Sequence, residues 1–355
     1  MPRGVRTTRM LELDDGRQKN ARVIAVMNNK GGCGKTTTAM ALGMYLARTG
    51  NSVLFCDNDP QSNLTQRLGI SDDEMMDRRL NYLFKNAERK EDLTIIAKYP
   101  YLQRLHGNDE KPGTIGILPG SHFAEIEANA LAKNLVQGNP DLGHRDISRY
   151  YKDRIHFYKS YYDYIVIDTA PALEGNILNV LALKSSDHII YPIDGLEAAL
   201  GLRGIMNWMS YETRNMDKRP NGLFVMVKYQ RDTVNLSPGG IPDAKMRNTV
   251  YRTMKNIFGD LVCDNGVREL RSLRYAIPGF GGKTEFTRMS EEISMKIRDD
   301  DLPNIFEYVL QNGLMMRYEG ELSKIKSVVQ RRSPNFRTPR YLSTPINFND
   351  QIEDA

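Results

Sequence analysis

The chain has 355 residues, 26% charged and 40% hydrophobic, with a formal net charge of +5. That balance suits a globular protein with room for one large α/β core or two small ones. No stretch reaches the ~18–20 apolar residues that span a bilayer, and the N-terminus lacks the apolar core of a secretory signal. The three cysteines, Cys33, Cys56 and Cys263, are scattered and form no CxxC pair. Neither a disulfide framework nor a zinc site is expected, and the reading is a reduced, cytoplasmic protein.

Residues 1–20 are polar and mixed in charge, and read as a flexible arm. Arg22 to Asn28 (RVIAVMN) is a short apolar strand, followed by Asn29-Lys30-Gly31-Gly32-Cys33-Gly34-Lys35-Thr36-Thr37. Three glycines in four positions let the backbone turn tightly and point successive N–H groups at an anion. From Thr38 to Arg48 the apolar residues recur at three- and four-residue spacing, so a helix begins there. Strand, glycine loop and helix N-terminus together bind a phosphate chain. An ordinary Walker A loop needs a glycine five residues before Gly34. Here that position is Asn29, with Lys30 after it, so the loop is a deviant type.

Asn51 to Asp57 reads as a second strand, ending in Asp57-Asn58-Asp59-Pro60-Gln61. Pro60 ends the strand, because proline fixes its own φ and biases the residue before it away from helix. Two carboxylates beside a phosphate loop suit Mg²⁺ and a water nucleophile. Residues 71–108 read as helical and charged with breaks. A strand is expected over 114–118, a helix from Ser121 towards Val136, and a tyrosine-rich helix over 145–160. Tyr164-Ile-Val-Ile-Asp168-Thr-Ala-Pro171 is an apolar run ending in aspartate, the Walker B arrangement in which the carboxylate meets Mg²⁺ or its water shell.

Further strands are expected over 187–192 and 222–228, a short extended piece over 261–263, and helices over 195–215, 242–258, 268–275, 284–298 and 302–316. Strands alternating with helices predict an α/β fold, a mostly parallel twisted sheet with helices on both faces. The division is an arm (1–20), a phosphate-loop domain (21–320) and a basic, proline-bearing tail (321–355). That tail carries Lys324, Lys326, Arg331, Arg332, Arg337 and Arg340, with no acidic residue between Leu322 and Asn349. The basic surplus of the chain is therefore a tail property, either a solvated tail or an electrostatic contact with an acidic partner.

Lys30-Gly-Gly-Cys-Gly-Lys35-Thr-Thr, Asp57-Asn-Asp-Pro-Gln61 and Tyr164-Ile-Val-Ile-Asp168-Thr-Ala-Pro171 resemble, in order and spacing, the ParA/MinD deviant Walker A ATPases. The DxDPQ form looks like the ParA branch, the DNA-partitioning ATPases. The resemblance implies ATP and Mg²⁺ as cofactors and slow hydrolysis. It implies phosphate binding by Lys30, Gly31, Gly32, Cys33, Gly34, Lys35, Thr36 and Thr37, with Lys35 on the β- and γ-phosphates. Thr36 and Asp168 would meet the metal, with Asp57 behind them, and Asp59 would orient the attacking water. Lys30 would reach across a homodimer to the other subunit's ATP.

The ParA resemblance further implies nonspecific DNA binding by the dimer, a ParB-like centromere-binding partner and a place on the nucleoid. Candidate DNA contacts are Arg268, Arg271 and Arg274, spaced along one helical face, and Lys324, Lys326, Arg331 and Arg332 in the tail. Arg231 stands one place out of register with the family's Asp-x-Arg-Thr element and is given no nucleotide contact. Two alternatives stand beside this one: a ParA-like positioner of a protein cargo, and a MinD-like membrane ATPase. The membrane reading needs a terminal amphipathic helix. Leu322, Ile325 and Val329 offer only a faint one, followed by proline-bearing chain. Metal-cluster relatives need paired cysteines, which this chain lacks.

Overall fold

The computed structural model describes residues 19–48, 50–68, 70, 75, 78–85, 93–97, 113–138, 143–172, 175–195, 198, 201–229, 254, 262 and 267–268. Its strands are β1 (Arg22–Val26), β2 (Val53–Asp57), β3 (Ile95–Ala97), β4 (Ile115–Leu118), β5 (Tyr164–Asp168), β6 (His188–Ile193), β7 (Asn221–Tyr229) and β8 (Val267–Arg268). Its helices are α1 (Lys35–Arg48), α2 (Asn63–Arg67), α3 (Asn81–Lys85), α4 (Ala124–Gly138), α5 (Gly143–Lys159), α6 (Ile177–Ser185) and α7 (Leu202–Thr213). The strands form one sheet in the order β3-β4-β2-β5-β1-β6-β7-β8, parallel throughout except for β3 against β4. This is the expected α/β fold.

The near-continuous apolar strands follow from burial on both faces. Successive side chains alternate between the faces. Val23, Ala25, Leu54, Cys56, Ile165, Ile167 and Ile189 pack with α4, α5, α6 and α7. Ile24, Val26, Phe55, Val166 and Ile190 pack with α1. The approach of α1 to β2 is close enough to require glycine at position 43. A Cβ built there would lie 2.2 Å from Phe55 Cζ.

β1 and β2 both flank β5, while β6 lies on the other side of β1. The chain thus leaves β1 in one direction and returns beyond it in the other, which opens a crevice at the carboxyl ends of the central strands. In register, Asp57 and Val26 both sit opposite Asp168, so the sheet itself brings the two carboxylate-bearing strand ends together.

Several boundaries differ from expectation. The segment 71–108 contains a five-residue helix and the strand β3, which caps the free edge of β4. Three residues carry too little periodicity to be read alone, and the partner edge decides the pairing. Within the helix expected over 195–215, Ala198 is helical and α7 spans Leu202–Thr213, while the one expected from Ser121 begins at Ala124. There Ser121 accepts the Phe123 N–H at 3.2 Å and closes a preceding turn. Val262 forms the expected extended piece, bridging Phe224. Arg268 is a correction: it lies in β8, paired with Tyr229 of β7. The open edge of β7 and β-branched Val267 draw this pair into the sheet, so Arg268 does not open the expected helix; Arg271 and Arg274 lie outside the described residues. The helices expected over 242–258, 284–298 and 302–316, and the tail, fall outside the described residues, Met254 excepted.

Candidate nucleotide site

The glycine loop joins β1 to α1 at the carboxyl edge of the sheet, and α1 begins at Lys35 itself. Gly32 and Gly34 hold φ of +70° and +87°, the left-handed region that L side chains avoid. Lys35 is buried, and its Nζ donates to the Lys30 carbonyl at 3.0 Å and lies 4.0 Å from Cys33 Sγ. Cys33 and Cys56 are buried thiols outside any disulfide, and burial and the Asp57 charge push the Cys56 thiol up; Cys263 lies outside the described residues. Thr37 accepts a hydrogen bond from Arg67 Nη1 of α2 at 3.1 Å.

Lys30, which distinguishes this loop, is tied down at three points. Its N–H donates to Asn28 Oδ1 at 2.9 Å, its carbonyl accepts Lys35, and its Nζ donates to Asp194 Oδ1 at 3.1 Å. Asn28 also donates from Nδ2 to the Pro192 carbonyl at 2.7 Å, which fixes the loop's start against the end of β6.

Asp57 and Asp168 are both fully buried. Asp57 Oδ2 accepts the Thr65 N–H at 2.8 Å and the Thr65 hydroxyl at 2.6 Å, while Oδ1 accepts the Asp59 N–H at 3.3 Å. The Thr65 hydroxyl oxygen in turn accepts the Gly120 N–H at 2.9 Å, which links the segment after β2 to the one after β4. Burial pushes Asp57 up to about 7; the Asp59 charge adds to that, and the hydrogen bonds from Thr65 oppose it. Asp168 is pushed up to about 8, first by burial and then by the Asp57 charge, against the pull of the Thr36 hydroxyl and the Lys35 ammonium. Asp59 is also buried, and its Oδ1 accepts the Gln61 N–H at 2.9 Å.

Asp57 and Asp168, buried at neighbouring strand ends, each push the other's charge towards the neutral form, and the Asp59 charge adds to this unless a cation lies near. Asp168 Oδ1 accepts the Thr169 N–H at 3.1 Å, and Oδ2 is a buried oxygen without a hydrogen-bond partner. An all-oxygen set with an orphaned carboxylate oxygen beside a threonine hydroxyl fits Mg²⁺. Among the described residues no three Asp, Glu, His or Cys side chains converge on one point. The rest of a Mg²⁺ shell would therefore come from Thr36, water and phosphate oxygens, as that ion's preference for few protein ligands predicts.

The structure thus brings Lys35, Thr36, Asp57, Asp59 and Asp168 together, with Lys30 joined to them through its carbonyl on Lys35 while its ammonium lies on Asp194. It places Arg268 away from any helical stripe, and Arg271, Arg274, Lys324, Lys326, Arg331 and Arg332 lie outside the described residues. Sequence reasoning missed Asn28, Asn58, Thr65, Asn179 and Asp194. Asn58 links three elements: Nδ2 donates to the Leu178 carbonyl at 3.3 Å, and Oδ1 accepts the Tyr151 hydroxyl at 3.1 Å. Asn179 donates to the Ala170 and Ala172 carbonyls and so holds the segment after Asp168. Their only sequence signal is polarity at or beside the ends of apolar strands and within an apolar helix.

Comparison with known proteins places the chain. The AAA domain family model matches residues 21–221. The sporulation initiation inhibitor protein Soj of Bacillus subtilis is 32% identical over 238 residues, covering 66% of this chain and 83% of the relative. The chromosome partitioning protein ParA of Caulobacter vibrioides is 25% identical, over 78% of this chain and 96% of the relative. Among solved structures, the ParA of pNOB8 bound to nonspecific DNA superposes with a TM-score of 0.51 at 20% identity, over 89% of this chain and all of that one. The ATP complex of a Cyanothece McdA variant gives 0.54 at 19% identity, over 79% of this chain and 97% of that one. Among the described residues no helix is long and apolar enough to cross a membrane.

Proposed function

The chain belongs to the ParA-type partition ATPases of the ParA/MinD deviant Walker A family, and we propose that it is an ATP-dependent DNA-segregation ATPase. Its ATP-bound homodimer binds DNA without sequence preference and lets go when a ParB-like centromere-binding partner stimulates hydrolysis. Residues 21–320 form the ATPase domain, flanked by the arm (1–20) and the basic tail (321–355). The supporting observation is the pairing of Lys30 and Lys35 around one glycine loop, with Asp57, Asp59 and Asp168 at neighbouring strand ends.

The chemistry is positioning and charge neutralisation. Backbone N–H groups from Gly31 to Thr37 cradle the phosphates at the helix N-terminus. Lys35 exchanges the Lys30 carbonyl for the β- and γ-phosphates. Mg²⁺, held by Thr36 and Asp168, would neutralise charge on the same phosphates. Asp57, with both oxygens already engaged, keeps the loop bearing Asp59 in shape, and Asp59 orients the attacking water. Lys30 crosses to the partner subunit's nucleotide and makes the dimer conditional on ATP. Arg268, Arg271, Arg274 and the tail cluster Lys324, Lys326, Arg331 and Arg332 neutralise DNA phosphates, so binding weakens steeply with salt.

The test is DNA binding in ATP against ADP. Wild type is expected to bind only in ATP and Lys30→Ala in neither; equal binding by a monomer in both nucleotides refutes the switch. Asp59→Ala should keep ATP and the dimer while turnover falls by about 10²-fold or more. Unchanged turnover removes Asp59 from its role.

A further inference from the structure

Lys30, which the proposed function sends across the dimer, is held within its own subunit at three points. Lys30 Nζ is 3.1 Å from Asp194 Oδ1, with the carboxylate 8% exposed and the ammonium 33%. Asp194 follows directly on β6. Two residues earlier, the Pro192 carbonyl takes the Asn28 amide that also holds the Lys30 N–H. Loop and strand end thus form one frame around this lysine. We propose that Asp194 is a positioning residue that holds Lys30 in cis, so that each subunit must give up this ion pair before the dimer can close; the proposal rests on the trans role of Lys30 in the proposed function.

The competition has two stages. When Lys35 turns to the phosphates of its own ATP, it releases the Lys30 carbonyl and one tie is lost. The Asp194 tie remains, because a carboxylate this buried keeps its cation unless a better anion is offered. The polyphosphate of the partner's nucleotide is that anion, and ADP, one phosphoryl group shorter, is a weaker one. The latch therefore lowers the population of subunits ready to dimerise without contacting nucleotide itself. With one partly exposed partner, such a pair shifts that population about fivefold. Since both subunits must release their lysines, the dimer dissociation constant shifts about 25-fold.

The experiment measures dimerisation by sedimentation equilibrium with a non-hydrolysable ATP analogue, for wild type, Asp194→Asn, Lys30→Ala and the double variant. Asp194→Asn should dimerise about 25-fold more tightly than wild type, and the gain should vanish in the Lys30→Ala background. An Asp194→Asn chain with an unchanged or weaker dimer overturns the latch, as does equal tightening without Lys30. A purely structural Asp194 would lower the melting temperature without tightening the dimer. Asp194→Ser, smaller and also uncharged, supplies the same comparison should Asp194→Asn not fold. A wild-type chain that binds the analogue but stays monomeric sinks the dimer reading and the latch with it. A wild-type dimer that Lys30→Ala abolishes, alongside an unmoved Asp194→Asn, sinks the latch alone.

Discussion

Replacing Gly43 by alanine tests how the site's first helix is set on the sheet. The added Cβ would lie 2.2 Å from Phe55 Cζ, 2.5 Å from Cε1 and 3.1 Å from Cε2. Carbon atoms rest ~3.5–4.0 Å apart, so ring and helix must separate by more than about 1 Å. Phe55 is fully buried among Ile24, Val26, Met40 and Val166, which leaves the ring nowhere to retreat. Overpacking costs roughly 1–3 kcal/mol, and a contact as short as this one belongs to the upper part of that range, about 2–3 kcal/mol. Alanine returns up to ~1 kcal/mol of helix propensity, so the net loss should be about 1–2 kcal/mol. Because α1 begins at Lys35, its outward shift should also weaken ATP binding several-fold. Urea unfolding should show a lower midpoint at unchanged slope, and a fluorescent ATP analogue should report the affinity. Gly43→Ala/Phe55→Leu removes the ring tip and should lose less than the two single variants summed. A Gly43→Ala protein with an unmoved urea midpoint would falsify the close-packing argument.

Two further outcomes concern the site loop and the sheet's edge. Ser62 has φ of +54° and a buried hydroxyl with no hydrogen-bond partner. Ser62→Gly relieves both, at the expense of a more flexible unfolded chain, and should raise unfolding free energy by about 1 kcal/mol; a lower urea midpoint refutes this. Burial lowers His188 from 6.5 to about 4; Arg22, Lys218 and Lys159 push the same way, and Asp187 opposes. A depressed folded-state value means the unfolded chain binds the proton first, so this contribution is complete above pH 6.5 and is lost as pH falls through about 4. Between pH 7 and pH 5 wild type should lose about 2 kcal/mol more than His188→Gln. Parallel losses in the two proteins would show that His188 does not titrate this way.

The chemistry of the phosphate loop was legible along the chain because its parts are contiguous. Gly31 to Thr37 form one turn and one helix start, and local backbone requirements dictate their residue types. Asp57 and Asp168 were legible as strand ends, since an apolar run closing on a carboxylate needs no distant information. What pairs them is the register of β2 on β5, a property of the sheet. Arg268 failed for the related reason that three-residue spacing suggests a helical face only if a helix forms, whereas the edge of β7 offered hydrogen bonds that a local pattern does not reveal. β3 was hidden in the same way by the edge of β4.

By itself, then, the sequence determined that this protein holds a nucleotide and that Lys30 is its unusual feature. Only the tertiary structure decided what surrounds that lysine. Asn28 and Asp194 are separated by 166 positions in sequence, and no spacing rule relates them. They converge on Lys30 because β1 and β6 are hydrogen-bonded neighbours whose carboxyl ends open on the same crevice. Short-range geometry belongs to the chain, while the partner across the sheet belongs to the fold.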